Sequence, residues 1–116
     1  MTKENLLNQV KTSPDTIEFK QVMGVITDYY EYTPSQFTNN DITNLAGTNE
    51  GSCKIFYFAK IQNLTVSETL ALFGSYYRDD VLKNPDGGDH GNIRNFMKTG
   101  WEKVKFNSVP LVENKP

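Results

Sequence analysis

The apolar segment CKIFYFAKI, from Cys53 to Ile61, restricts the possible folds more than any other part of the chain. Its side chains would cover most of the circumference of a helix, broken only by Lys54 and Lys60, which is typical of a helix surrounded by other elements. By periodicity alone, the run could equally be a buried strand. The loop LAGTNEGS before it and QNLT after it favour a helix, with Ser52 accepting a hydrogen bond from the first turn. We therefore expect a buried central helix that begins at Cys53.

Two helices are predicted before this segment. In KENLLNQVKT, Leu6 and Val10 share one side of a short helix, and Pro14 in the following SPD suits the first turn of a new one. In DTIEFKQVMGVITDYYEY, apolar residues such as Val22 and Ile26 recur at helical spacing. Pro34 sets the last point at which this second helix can end.

Two more helices are predicted after the central segment. Thr65 followed by Glu68 forms a capping box, which indicates a helix start, and the apolar spacing carries that helix on to Tyr77. A last helix contains Ile93, and Gly100 is placed to end it in a left-handed conformation.

Strand patterns are brief. SQFTNND is centred on Phe37, and EKVKF alternates polar and apolar residues as a half-buried strand does, so we expect the two to pair. The sequence thus predicts an α+β fold: a predominantly helical single domain over residues 1–106, with about five helices and a small two-stranded sheet. Residues 107–116, with two prolines and no periodicity, are expected to form a flexible C-terminal tail.

Composition excludes several classes of partner. The chain has 116 residues, with 12 Lys and Arg against 14 Asp and Glu, so we expect neither nucleic acid nor an anionic membrane as a partner. The single cysteine cannot form an internal disulfide. No pair of Cys or His residues has the spacing of a structural zinc site, and we expect no cofactor. We find no apolar run of signal-peptide or membrane-spanning length, and we expect a soluble protein.

Cys53 and the single histidine, His90, are the first catalytic candidates. A thiol near a helix amino terminus with an imidazole as its base is the minimum apparatus for acyl transfer. A lone cysteine entering an apolar helix is more often a small core residue, and that is the role we expect here.

A second candidate is a polar set carried by two turn-rich segments that each lead into a helix. Helix amino termini bind anions through free backbone amides, and two basic side chains would add charge, so the set predicts a site for a small anionic ligand. The alternative is a structural network that pins the loops. The set is Asn49, Glu50, Lys54, His90, Asn92 and Arg94, with Glu50 as a candidate acid or base.

Metal binding is not indicated. Asp79 and Asp80 in YYRDD are neighbours, and neighbouring side chains on a helix point about 100 degrees apart, so this pair alone does not converge. The loop NPDGGDHGN lacks the alternating ligands and closing glutamate of a helix-loop-helix calcium site.

The motifs TNEGSCKIFYFAK, TLALFGSYYRDDVLKNPDG and DHGNIRNFMKTGW, in this order and spacing, resemble the HopJ family of type III effector proteins. The resemblance covers nearly the whole domain, up to Phe106. It implies a bacterial protein of the cytoplasm, or one secreted by a type III system without a cleaved signal peptide, and it implies no established catalytic mechanism. We therefore expect a small binding or interaction module, with an anionic ligand or a protein as partner. The alternative is a small enzyme that uses the polar set around Glu50, Lys54, His90 and Arg94.

Overall fold

The computed structural model describes residues 1–114 and shows a predominantly helical α+β domain, as the sequence predicts. The elements, in chain order, are α1 (Lys3–Thr12), α2 (Phe19–Tyr29), β1 (Tyr30–Tyr32), β2 (Phe37–Asn39), β3 (Ile42–Asn44), α3 (Glu50–Ile61), α4 (Val66–Ala71), α5 (Gly91–Thr99), β4 (Val104–Phe106) and β5 (Leu111–Glu113). Short 3-10 turns cover Pro14–Thr16 and Gly100–Lys103, and a π-helical turn covers Tyr76–Val81. No helix within residues 1–114 is long and apolar enough to cross a membrane.

The strands form two small antiparallel sheets. In the first, β2 lies between β3 and β4, and Phe37 is opposite Phe106 in the register of β2 with β4. The pairing predicted between the Phe37 segment and EKVKF is therefore present, and β3 adds a third strand through a tight turn at Asn40. In the second sheet, β1 pairs with β5.

Helix α3 runs through the centre of the core, as its composition predicts. Phe56 is fully buried, and its ring centroid lies 4.9 Å from that of Phe96 and 5.4 Å from that of Phe73. Phe37 of the three-stranded sheet lies 6.1 Å away on another side. Of the two structures that its periodicity allowed, the segment forms the helix, and α5, the turn after α4 and the sheet each contribute an aromatic ring beside Phe56.

The start of α3 corrects the prediction from the sequence. The helix begins at Glu50 and not at Cys53, and its N-cap is Asn49 in the left-handed conformation, not Ser52. The side-chain amide of Asn49 donates to Asn44 Oδ1 at 2.7 Å, which fixes the loop one turn earlier than expected. Asparagine tolerates this backbone region better than most residues do.

The C-terminal segment also differs from the prediction of a flexible tail. Residues Leu111–Glu113 form β5 along β1, and Leu111 is buried against the core. The same pairing ends α2 at Tyr29, because the chain turns into β1 there instead of continuing as helix. The last two residues of the expected tail lie outside the described residues.

Gly74 divides the helix that the sequence predicts from Thr65 to Tyr77. The capping box at Thr65 and Glu68 is present, but α4 ends at Ala71. Gly74 has a φ of +62°, and a Cβ there would lie 2.8 Å from the backbone nitrogen of Phe19. This close approach requires glycine and redirects the chain into the π-helical turn that carries Tyr76 and Asp80.

Candidate functional site

Four asparagine side chains form a hydrogen-bonded cluster between the three-stranded sheet and the starts of α3 and α5. Asn92 Nδ2 donates to Asn44 Oδ1 at 2.8 Å, and Asn49 Nδ2 donates to the same oxygen at 2.7 Å. Asn39 Nδ2 donates to the backbone oxygen of Asn92 at 2.8 Å. Buried amides need such partners, so the cluster fixes the N-terminus of each helix relative to the sheet.

The cluster explains why two loops distant in sequence meet. Asn39 and Asn44 come from β2 and β3, whereas Asn49 and Asn92 lie at the starts of α3 and α5. Within residues 1–114, Asn39 Oδ1 is the one buried side-chain nitrogen or oxygen without a hydrogen-bond partner. The other amide groups are satisfied, so the network holds the two loops together by specific bonds and not only by burial.

The starts of α3 and α5 border one open cleft of about 370 Å³. Asn49, Gly51 and Ser52 line it from α3, and the segment 90–93 lines it from α5. Aromatic side chains form another wall: the ring centroid of Tyr76 lies 5.0 Å from Phe19 and 5.2 Å from His90. The cleft thus combines the starts of two helices with a wall of aromatic side chains.

The two helix ends favour negative charge in the cleft. In α3, the first backbone hydrogen bond within the helix is donated by the N–H of Cys53 to the oxygen of the N-cap, Asn49. In α5, the corresponding bond is donated by the N–H of Arg94 to the oxygen of His90. Among residues 1–114, no side chain caps either helix. The backbone N–H groups that precede Cys53 in α3 and Arg94 in α5 therefore have no acceptor within their helix. The positive ends of both helix dipoles also lie at the cleft.

His90 lies between the cleft and an acidic loop. It is the N-cap of α5, with a φ of +52°, and its Nε2 is 2.9 Å from Asp80 Oδ2 on the π-helical turn. Asp89 Oδ2 is 3.8 Å from the same nitrogen. The imidazole is therefore held by carboxylates on one edge while its ring lies against Tyr76.

Arg94 fastens the loop that precedes α5. Its guanidinium donates to the backbone oxygens of Asn84 at 2.8 Å and Asp89 at 2.6 Å, and to Asp89 Oδ1 at 2.6 Å. The same ion pair lowers the pKa of the Asp89 carboxyl. Arg94 thus satisfies loop carbonyls and does not line the cleft.

Glu50 and Lys54 belong to a different neighbourhood, around Tyr32. Lys54 Nζ lies 4.6 Å from the centre of the Tyr32 ring. Burial and the nearby Glu50 carboxylate both raise the pKa of the Tyr32 hydroxyl. The six residues predicted from the sequence therefore separate: Asn49, His90 and Asn92 meet at the cleft, whereas Arg94, Glu50 and Lys54 do not line it.

Cys53 and His90 do not form a nucleophile and base. The Cys53 thiol is buried and lies 3.9 Å from the backbone oxygen of Ser35, whereas the hydrogen-bond partner of His90 is Asp80. Burial raises the pKa of the thiol to about 11, the opposite of what a nucleophile requires. The structural role expected for Cys53 agrees with this environment.

Four residues of the site escaped sequence reasoning: Asn39, Asn44, Phe19 and Tyr76. The burial of Asn39 could have been predicted from the alternation of side chains along a strand. Asn39 lies two residues after the buried Phe37 and therefore shares its face of the sheet. Phe19 and Tyr76 meet where Gly74 packs against the backbone of Phe19, a contact that no local sequence pattern shows.

The comparison with family models is decisive for membership. The model described as HopJ type III effector protein matches residues 3–111, nearly the whole chain. The chain belongs to the HopJ family. Within the described residues, the HopJ match takes in every helix, both helix ends at the cleft and all strands of the larger sheet.

A solved structure supports the fold of this HopJ protein. The chain is similar to a protein whose crystal structure is titled "Crystal structure of unknown function protein VPA0580", with 46% sequence identity and a TM-score of 0.96. The match covers 98% of this chain and 95% of that one. No curated protein matched the chain.

Proposed function

We propose that this HopJ protein is a binding module that holds a small anionic ligand, a phosphate or carboxylate, in the cleft between the starts of α3 and α5. The observation that carries the proposal is that two uncapped helix ends border the same cleft. Backbone N–H groups and positive dipole ends together make a preformed anion site.

The walls of the cleft support a ligand with an apolar part next to its anionic group. Phe19 and Tyr76 supply an aromatic surface, while Ser52 and Asn49 add side chains that can hydrogen-bond. A volume of about 370 Å³ accommodates a small molecule.

A second candidate is a small enzyme that uses the same cleft. Its support is the 2.9 Å contact between His90 and Asp80, because a carboxylate that orients an imidazole is a common arrangement for proton transfer. Glu50, the acid or base suggested by the sequence, does not line the cleft, so His90 is the group that would act.

The family description supports a further proposal, that the protein is exported by a type III system and acts as an effector outside the bacterial cytoplasm. Fusion to a translocation reporter in strains with and without a functional type III apparatus tests this. Reporter signal in both strains, or in neither, would contradict it.

The anion site is tested by thermal shift with inorganic phosphate and a panel of small carboxylates, each against chloride at equal ionic strength. A ligand that binds only the folded state raises the melting temperature by mass action. Ser52→Asp places a carboxylate in the first turn of α3 and should abolish the shift by repulsion.

Ser67→Asp is the matched control, because Ser67 lies in the first turn of α4, outside the residues that line the cleft. It should keep the ligand-dependent shift. If no anion stabilises the protein beyond the chloride reference, or if both variants lose the shift equally, the proposal fails.

A further inference from the structure

Asp80, Asp89 and His90 bring one donor atom each to a common point beside the cleft. The three donor atoms all lie within 4.8 Å of one another. Asp80 comes from the π-helical turn, and the adjacent Asp89 and His90 come from the end of the loop before α5, so the loop between them brings the three side chains together. His90 contributes its Nε2, which faces both carboxylates.

The spacing suits a metal ion. Ligand atoms about 2.1 Å from a zinc ion lie about 3 to 3.5 Å from one another. Nε2 of His90 is 2.9 Å from Asp80 Oδ2 and 3.8 Å from Asp89 Oδ2. With every pair of donor atoms within 4.8 Å, rotation of the side chains would bring all three to coordination distance.

Neighbouring side chains leave the carboxylates of Asp80 and Asp89 oriented to bind a metal ion. Arg94 donates to Asp89 Oδ1 at 2.6 Å and leaves Oδ2 on the side of His90. Lys83 pairs with Asp79 at 3.1 Å and not with Asp80. Hydrogen bonds to ligand carboxylates are the usual outer shell of metal sites, because they orient the ligand atoms.

The imidazole distinguishes this cluster from the exposed carboxylates nearby. Asp79 and Asp86 belong to the same stretch of chain but lie outside this group of three, and neither has an imidazole within ion-pair distance in the part of the chain that the structure describes. Carboxylates alone attract hard cations such as Mg²⁺, whereas a set with imidazole selects transition metals. The approach of both carboxylates to the same imidazole nitrogen is therefore the feature that indicates a transition-metal site.

We propose that His90 Nε2, Asp80 Oδ2 and Asp89 Oδ2 bind a divalent transition-metal ion, for which Zn²⁺ is the probe. Three protein ligands leave one tetrahedral position open, which water or an anion in the neighbouring cleft can occupy. The bound cation adds positive charge next to the two helix ends. The proposal goes beyond anion binding, because Zn²⁺ alone binds without a second ligand.

The single histidine provides a direct test on the unaltered protein. With any histidine-containing tag removed, ¹⁵N-resolved NMR of the imidazole reports the state of each ring nitrogen. Titration with ZnCl₂ should shift the Nε2 resonance and saturate at one equivalent. An imidazole spectrum unchanged by one millimolar Zn²⁺, or a shift confined to Nδ1, overturns the proposal.

Calorimetric titration of variants with ZnCl₂ assigns the carboxylates. Asp80→Asn keeps the size and the hydrogen-bond acceptor but should weaken Zn²⁺ binding at least about tenfold, since even outer-shell changes cost that much. The matched control is Asp79→Asn, which removes the adjacent carboxylate and only a surface ion pair. If Zn²⁺ affinity falls equally in both variants, or if Mg²⁺ binds as tightly as Zn²⁺, the binding is nonspecific charge attraction and the proposal is wrong.

Discussion

At the scale of the residue, Cys53 shows how burial changes chemistry. It sits in the first turn of α3, where a helix dipole favours a thiolate, yet the environment raises its pKa to about 11. Removal from water outweighs the dipole because the ionised form loses its hydration. The thiol is therefore a packing group despite a position that often marks a reactive one.

This environment predicts a loss of stability at alkaline pH. The folded pKa of about 11 exceeds the ordinary thiol value of about 8.5, so the unfolded state releases its proton first. The contribution to folding is complete below about pH 8.5 and disappears as pH rises towards 11. Urea denaturation at intervals between pH 8 and 11 should show the free energy of unfolding falling.

Cys53→Ala is the control, because it removes the titrating thiol. The alkaline fall should become shallower in this variant but not vanish, since the raised pKa of Tyr32 acts in the same direction. Identical slopes in the two proteins would mean that the thiol titrates alike in the folded and unfolded states.

At the scale of the element, helix starts that depend on neighbouring residues were predicted well, whereas those that depend on contacts between distant elements were not. The start of α4 was predictable, because Thr65 and Glu68 carry both bonds of the capping box within one turn. The start of α3 was not, because the left-handed Asn49 depends on a bond to Asn44 in another element. Strand β5 has no alternation of its own beyond its three residues, and its partner β1 is remote in sequence.

Strand β5 offers a matched pair of substitutions. Leu111 is buried, whereas Val112 on the opposite face is 57% exposed. Leu111→Ala should lower the free energy of unfolding by about 2–5 kcal/mol, because it removes a buried side chain from the core. Val112→Ala should change it by less than about 0.5 kcal/mol.

Chemical denaturation of the two variants measures the difference. Near-equal effects would mean that this segment is the flexible tail that its prolines and weak pattern indicated, and that β5 adds little to the fold.

At the scale of the whole molecule, the asparagine cluster joins the sheet to both helix ends. The sequence identified Asn49 and Asn92 from their turn-rich surroundings, but not the buried Asn39 and Asn44 that hold them. Polar residues in short strands are ordinarily assigned to the solvent side, so their role depends on contacts that only the assembled fold supplies. For the same reason, the sequence grouped Arg94 with the site, although its partners are loop carbonyls.

Asn92→Ala tests this connection. It removes the bond to Asn44 Oδ1 and the acceptor for Asn39 and Asn44, so the free energy of unfolding should fall by about 1–3 kcal/mol. The control Asn8→Ala, on the exposed face of α1, should change it by less than about 0.5 kcal/mol. Thermal denaturation of both variants gives the comparison, and matching midpoints would contradict a structural role for the cluster.

The left-handed N-cap at position 90 places stability and the proposed ligand binding in opposition. Asn49 and His90 both have positive φ, at 48° and 52°, where glycine meets no steric penalty. Glycine at position 49 would relieve the backbone but lose the bond to Asn44 Oδ1, whereas glycine at position 90 would relieve the backbone and lose a side chain that lines the cleft. Engineering for heat resistance would thus erode the proposed sites first at His90, and a thermostabilised His90→Gly variant should bind neither the proposed anion nor the proposed metal ion.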